Sequence, residues 1–275
     1  MKIQRGEIMK TINLIELHSV YWNLPEERNQ REILHNINLN IQEGDFVSIM
    51  GPTGCGKTIF LKLLAGLINV SDGIYLYKGQ SIVNGLSKSD LADVGIAYQS
   101  DSLFEWLTVE KNIKQPIKIL GMKNKYDQEE RINQILDLVG LKNYRDCYPH
   151  ELSGGMRQRC AFGRAVVNYP GVLFLDQPFG ALDAITRKML GTELLKMWKE
   201  EKKTVIMITN NVTEALMLSN KVVVLSNAPA TVAEEIAVNI PYEERFEGLR
   251  MNEEYIKLSK KLNKLVRNDN SQERR

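Results

Sequence analysis

Apolar positions change period along this chain, and the changes divide it. Residues 11–22 carry Ile12, Leu14, Leu17 and Val20 close to alternation, which predicts a strand. The polar run 25–31, opened by Pro25, predicts a hairpin loop; 33–41 reads as a second strand and 42–45 as a turn. Residues 46–50 form a short apolar strand running into a glycine-rich loop, and 59–68 then takes a helical period. From 108 to 147 the period is helical throughout, with Val109, Ile113, Ile117 and Leu120, then Ile132, Ile135, Leu136 and Val139. Further on, helices are expected over 153–168, 183–201 and 212–219, and strands over 172–176, 204–208 and 221–226. A charged amphipathic helix over 250–267 closes the pattern, and 268–275 reads as a disordered tail. Alternating strands and helices imply a mostly parallel sheet covered by helices, with a helical insert in an α/β core.

The glycine-rich loop is Gly51-Pro52-Thr53-Gly54-Cys55-Gly56-Lys57-Thr58, followed by Ile59. Its glycines let backbone N–H groups turn inward around phosphate oxygens, at the positive end of the next helix. Lys57 would reach the β- and γ-phosphates, and the Thr58 hydroxyl would serve Mg²⁺. Cys55 reads as a small filler rather than a reactive thiol. Asp176 ends the strand over 172–176, where its carboxylate can hold the Mg²⁺ shell. Ser153-Gly154-Gly155 opens a helix as a cap with room for a close anion.

Composition narrows the picture only a little. Of 275 residues, 36 are basic and 34 acidic, so a net charge of +2 does not suggest a nucleic-acid surface. No apolar run approaches the roughly 18 residues needed to span a bilayer, and the N-terminus lacks the apolar core of a signal peptide. A cytosolic protein is expected, able to touch a membrane through a partner. Cys55, Cys147 and Cys160 make no ligand spacing with His18, His35 and His150, so neither a metal cluster nor a disulfide framework is expected.

The loop at 51–58, Gln99 in Ala-Tyr-Gln-Ser, Leu-Ser-Gly-Gly-Met at 152–156, Asp176 and Ala-Leu-Asp183 occur in the order found in the ABC ATPase family, which the chain resembles over 11–230. The resemblance implies an α/β P-loop NTPase core of the ABC type, with an antiparallel β subdomain and an inserted α-helical subdomain. It implies an ATPase domain over 1–240, with the core at about 1–98 and 158–240, the helical part at about 99–157 and a C-terminal extension at 241–275. It implies two ATP molecules sandwiched in a head-to-tail dimer, each between one chain's 51–58 loop and the other's Ser153–Gly155. Gln99 would sense the γ-phosphate and Mg²⁺, Asp183 would reach the opposite site, and Tyr21, or alternatively Trp22, would stack on adenine. Segments such as 102–109 and Gln-Pro-Phe-Gly-Ala-Leu-Asp-Ala resemble the nitrate/sulfonate/taurine importer ATPases, in which the surface around 99–106 receives a transmembrane permease subunit.

Four positions depart from the family pattern. Gln177 stands for the glutamate that polarises the attacking water, and Asn210 for the histidine that contacts the γ-phosphate. Asn211 replaces an aspartate, and Ile59 a second hydroxyl. A neutral amide is a far poorer base than a carboxylate, and losing general-base help typically costs about 10²–10⁴ in rate. One substitution made to trap ATP would not explain all four. The departures serve the chain's own loop, whereas Ser153–Gly155 and Asp183, which serve the opposite site, are intact. An ATP-binding importer subunit with impaired hydrolysis, completing the site of a catalytic partner, is therefore expected. A self-sufficient homodimeric slow ATPase and a non-hydrolysing regulatory subunit remain as alternatives.

Overall fold

The computed structural model describes residues 13–24, 31–99, 102–121, 128–246 and 248–268. In chain order these form β1 (Asn13–Leu24), β2 (Arg31–Gln42), β3 (Phe46–Met50), α1 (Lys57–Leu64), β4 (Asp72–Tyr77), β5 (Gln80–Ser81), α2 (Lys88–Leu91), β6 (Val94–Ala97), α3 (Val109–Leu120) and α4 (Gln128–Leu138). They continue with α5 (Gly154–Val166), β7 (Val172–Asp176), α6 (Ala184–Glu201), β8 (Thr204–Ile208), α7 (Val212–Leu218), β9 (Lys221–Leu225), β10 (Val232–Ala237) and α8 (Glu253–Asn268).

The strands make two sheets. One runs β10-β9-β3-β8-β7-β6, parallel from β9 to β6, with antiparallel β10 on its edge. The other is antiparallel, in the order β2-β1-β4-β5. The central strands β3, β7 and β8 are buried at every residue, as parallel strands covered on both faces must be. Their side chains alternate between two cores because the strand period is two. Phe46, Leu173, Leu175, Val205 and Met207 face the core shared with α3, α4, α5 and α6. Val47, Ile49, Val172, Phe174, Ile206 and Ile208 face the core shared with α1 and the antiparallel sheet. A third cluster packs α7 and α8 against β9 and β10.

Arg245 secures the C-terminal segment. Its guanidinium, 4% exposed, donates to the Ile240 carbonyl at 3.0 Å and to those of Leu218 and Ser219 at 3.2 and 3.0 Å. A cation there offsets the negative end of α7 and satisfies carbonyls that the helix leaves open.

Several expectations shift. The helix expected over 59–68 starts earlier and stops at Leu64. Gly66, at φ +66°, turns the chain while its N–H bonds the Leu63 carbonyl and that of Leu67 bonds Lys62, so Leu67 and Ile68 lie beyond the helix. The C-terminal helix begins at Glu253 rather than 250 and runs through Asn268, the first residue expected to be disordered. The 108–147 insert is two helices followed by a 3-10 turn at Lys142–Tyr144. Strands β4, β5, β6 and β10 occupy stretches to which the pattern assigned no element. The hairpin loop expected over 25–31 falls, except for Arg31, outside the described residues, as do 269–275.

Candidate functional site

Strand β3 delivers the chain into the loop over 51–58, and α1 leaves it. Gly56 is the N-cap of α1, at φ +102°, and makes no side-chain cap; no acid lies in the first turn. Three later helices differ. Ser153, Asp183 and Asn211 cap α5, α6 and α7 with their own oxygens. The first N–H groups of α1 therefore point to a loop that can take an anion. Only glycine suits position 56, since a Cβ there would come 2.6 Å from Cγ2 of Ile33. Lys57 is 7% exposed and folds back, its Nζ donating to the carbonyls of Gly51 at 2.8 Å and Pro52 at 2.6 Å. Burial holds its ammonium below the usual lysine range, opposed by Cys55 and Asp176. Cys55 is buried within the second core.

Asp176 ends β7 beside this loop. Its Oδ2 accepts from the Thr58 hydroxyl at 2.7 Å, while its Oδ1 is buried with no hydrogen-bond partner. Burial raises its carboxyl above the usual range, against the pull of Thr58, Lys57 and Lys62. Thr58, Asp176, Gln99, Tyr98 and Lys62 line one cavity of about 380 Å³. A hydroxyl, an unpaired carboxylate oxygen and an amide oxygen are the hard donors that suit a hydrated Mg²⁺ ion.

Three amides meet at the edge of this cavity. Gln177 Nε2 donates to Gln99 Oε1 at 3.2 Å, and Asn210 Nδ2 to Gln177 Oε1 at 3.5 Å. No member of this chain can carry a negative charge or accept a proton at neutral pH. Gln177 sits at φ +46°, a left-handed backbone uncommon outside glycine. Asn211 proves to be a helix cap, its Oδ1 accepting from Thr213 N–H at 2.9 Å and Glu214 N–H at 3.2 Å. An asparagine caps as well as an aspartate, so this departure leaves the cap of α7 in place. The Ile59 side chain packs against the second core.

The remaining candidates surround a different turn. Ser153 and Gly154 are exposed, as is Asp183, whose carboxylate is held below the usual range by the Thr186 hydroxyl and backbone N–H. Gly155 packs against that turn, and a Cβ on it would lie 3.2 Å from the Ala181 carbonyl. Tyr21 stands on β1, half-buried and edge-on to His35 at 5.2 Å, two residues along β2 from Ile33. Trp22 packs into the second core. Of the proposed contact surface, Trp106 is 73% exposed and Phe104 half-buried, while Ser100 and Asp101 fall outside the described residues. Sequence reasoning missed Tyr98 and Lys62 in the cavity wall, and Gln158, whose amide grips the turn after Asp176. The place of Tyr98 beside Gln99 was a usable signal; Gln158 had none, because its partners lie 19 and 23 residues on.

A family profile described as ABC transporter matches residues 34–180. An aliphatic sulfonates import ATP-binding protein of Bacillus anthracis is 38% identical over 232 residues, covering 84% of this chain and 88% of the relative. An uncharacterised ABC transporter ATP-binding protein of Methanocaldococcus jannaschii is 41% identical over 212 residues, 77% of each chain. Among solved structures, an ATP-binding cassette in a dimeric post-hydrolysis state with ADP and Pi superposes with a TM-score of 0.73 at 29% identity, over 82% of this chain and all of that one. Profile, relatives, sheet order and loop agree, and the chain belongs to the ABC transporter family as one of its ATP-binding domains.

Proposed function

We propose that this chain is the ATP-binding subunit of an importer for a small anion of the sulfonate, nitrate or taurine kind, with hydrolysis impaired at its own site. The observation that carries the reading is the contrast within that site. Lys57, Thr58 and Asp176, groups suited to hold MgATP, are kept, whereas Gln177 and Asn210, joined to Gln99 beside the same cavity, are neutral amides. Binding and chemistry thus separate: affinity persists and turnover falls.

In this reading the 51–58 loop cradles the phosphates and Tyr21 stacks on the adenine. Bound Mg²⁺ supplies charge neutralisation, held by Thr58, Asp176 and Gln99. Ser153–Gly155 and Asp183 complete the ATP site of a second, catalytically intact ATPase chain. Permease subunits dock around 99–106, and the chain works in the cytoplasm against the inner face of the membrane. Support for that surface comes from Trp106, exposed beside Phe104 at a ring separation of 5.3 Å, and from the groove that Phe104 lines with Pro116, Ile119 and Leu120. Support for a sulfonate among these solutes comes from the Bacillus anthracis relative, an aliphatic sulfonates import ATP-binding protein.

The test is ATP binding and steady-state hydrolysis by the purified chain, as it stands and as the double variant Gln177→Glu/Asn210→His. Tight binding with negligible turnover is expected, with turnover raised about 10²–10⁴-fold in the double variant. Equal and substantial turnover in both would leave the second reading, a self-sufficient homodimeric slow ATPase. That reading is favoured by the solved relative described as dimeric in a post-hydrolysis state.

A further inference from the structure

Gln158, on α5, is 6% exposed and uses both ends of its amide on one turn. Its Nε2 donates to the Gln177 carbonyl at 2.8 Å, and its Oε1 accepts from the Ala181 N–H at 2.9 Å. The turn so gripped begins at a strained residue. Gln177, at φ +46°, is also held by its N–H on the Ile208 carbonyl at 3.0 Å and by the Gly180 N–H on its own carbonyl at 3.1 Å. Backbone in a sparsely populated region persists only where its surroundings over-determine it. From residue 177 the side chain leaves toward Gln99 and Asn210, in the chain's own site. From the other end of the turn come Ala181, against which Gly155 packs, and Asp183. Ser153, the cap of the helix bearing Gln158, lies five residues before it.

We infer that Gln158 is a positioning residue: its one buried amide fixes the backbone of residue 177, and with it the aim of the Gln177 side chain at the γ-phosphate. It also ties that aim to the helix whose N-terminus serves the opposite site. The inference rests on the function proposed above. Whatever draws residue 177 toward or away from a bound γ-phosphate acts, through this amide, on α5 and the Ala181–Asp183 backbone. A substitution that removes the Nε2 donor leaves the aim of Gln177 unsupported, although its side chain is unchanged.

The test compares MgATP and MgADP affinities by calorimetric titration of the full chain, as wild type, Gln158→Glu and Gln158→Met, between pH 5 and 8. In Gln158→Glu the protonated carboxyl can donate to the Gln177 carbonyl and accept from Ala181, as the amide does; the ionised form presents an oxygen to an oxygen. Burial favours the neutral form of such a group, so its bonds are kept in acid and lost as it ionises on raising the pH. The charged groups at the turn are Asp176 and Asp183 at its two ends and Arg187, which donates to the Leu182 carbonyl and pairs with Glu214; Arg157, beside Gln158 on α5, donates to the Leu152 carbonyl. All of these are present in every variant, and the wild-type profile subtracts them together with the titration of the nucleotide.

The expected result is a loss of ATP-over-ADP preference of about threefold to tenfold, the worth of one hydrogen bond. It is expected in Gln158→Met at every pH and in Gln158→Glu only at the higher pH, with ADP affinity unchanged. Recovery of Gln158→Glu in acid also shows that the variant is folded. Equal loss for ATP and ADP, or variants that match wild type throughout, would overturn the positioning role and leave the proposed function standing. A wild type that binds neither nucleotide would overturn both.

Discussion

Asp176→Asn should make the nucleotide-free protein more stable and the MgATP-bound protein less so. The carboxylate is 1% exposed, and one of its oxygens has no partner. Its carboxyl is raised above 3.8 by burial, so it contributes stability in acid that is lost as pH rises through the shifted value. At pH 7 the folded protein therefore carries an unfavourable buried anion. The amide keeps an oxygen for the Thr58 hydroxyl and replaces an unpaired anionic oxygen with an unpaired neutral N–H. That exchange is worth about 1 kcal/mol, or about 2–4 °C in Tm for a chain of this size. MgATP reverses the order. At a concentration 100-fold above Kd, binding stabilises the wild type by about 2.7 kcal/mol. Loss of an oxygen that orients the metal shell weakens affinity by roughly 10–100-fold, and the larger loss leaves about 0.4 kcal/mol. Scanning calorimetry of both proteins, without nucleotide, with MgATP, and with ATP and a chelator, should show the curves crossing only when Mg²⁺ is present. A variant that melts below wild type without nucleotide, or gains as much from MgATP, would refute the reasoning.

Gly56→Ala should weaken ATP binding at least tenfold by fluorescence titration, because φ +102° and a contact of 2.6 Å with Ile33 force the loop to move. Arg245→Met should cost about 3 kcal/mol in denaturant unfolding, since it strands the carbonyls of Leu218, Ser219 and Ile240. Burial raises the Glu214 carboxyl above 4.5, against the Thr209 hydroxyl and Arg187. Its contribution to stability should thus grow as pH falls from 7 toward 4.5, and Glu214→Gln should remove that slope from a pH series of melting curves. Trp106→Ala should change stability by less than about 0.5 kcal/mol, as exposed substitutions do, yet reduce recovery of the chain with its permease subunits in a pull-down.

The glycine-rich loop, Asp176 at the end of an apolar strand, Ser153 before a helix and Asp183 before another were all legible, because each is a local matter of a few adjacent residues. Strand–loop–helix order likewise follows from periodicity, which is why β3, β7, β8 and their helices fall close to where the pattern puts them. The edge strands β5 and β10 did not emerge from the pattern: β5 is two residues long, and β10 sets Glu234 between Val232 and Ile236 on its less exposed side, which breaks the apolar alternation. Nor could spacing tell that Asn211 is a sound cap while Gln177 and Asn210 join Gln99 in a chain of amides. Residue 99 lies 78 positions from Gln177, and 33 separate Gln177 from Asn210; only the sheet, by setting β6, β7 and β8 side by side, brings their ends together. The sequence by itself determined which chemical groups the chain owns and which local turns present them. Tertiary structure decided which groups share a cavity, which oxygen of Asp176 is left without a partner and which buried amide holds the turn, because hydrogen bonding and burial depend on distance in space rather than along the chain.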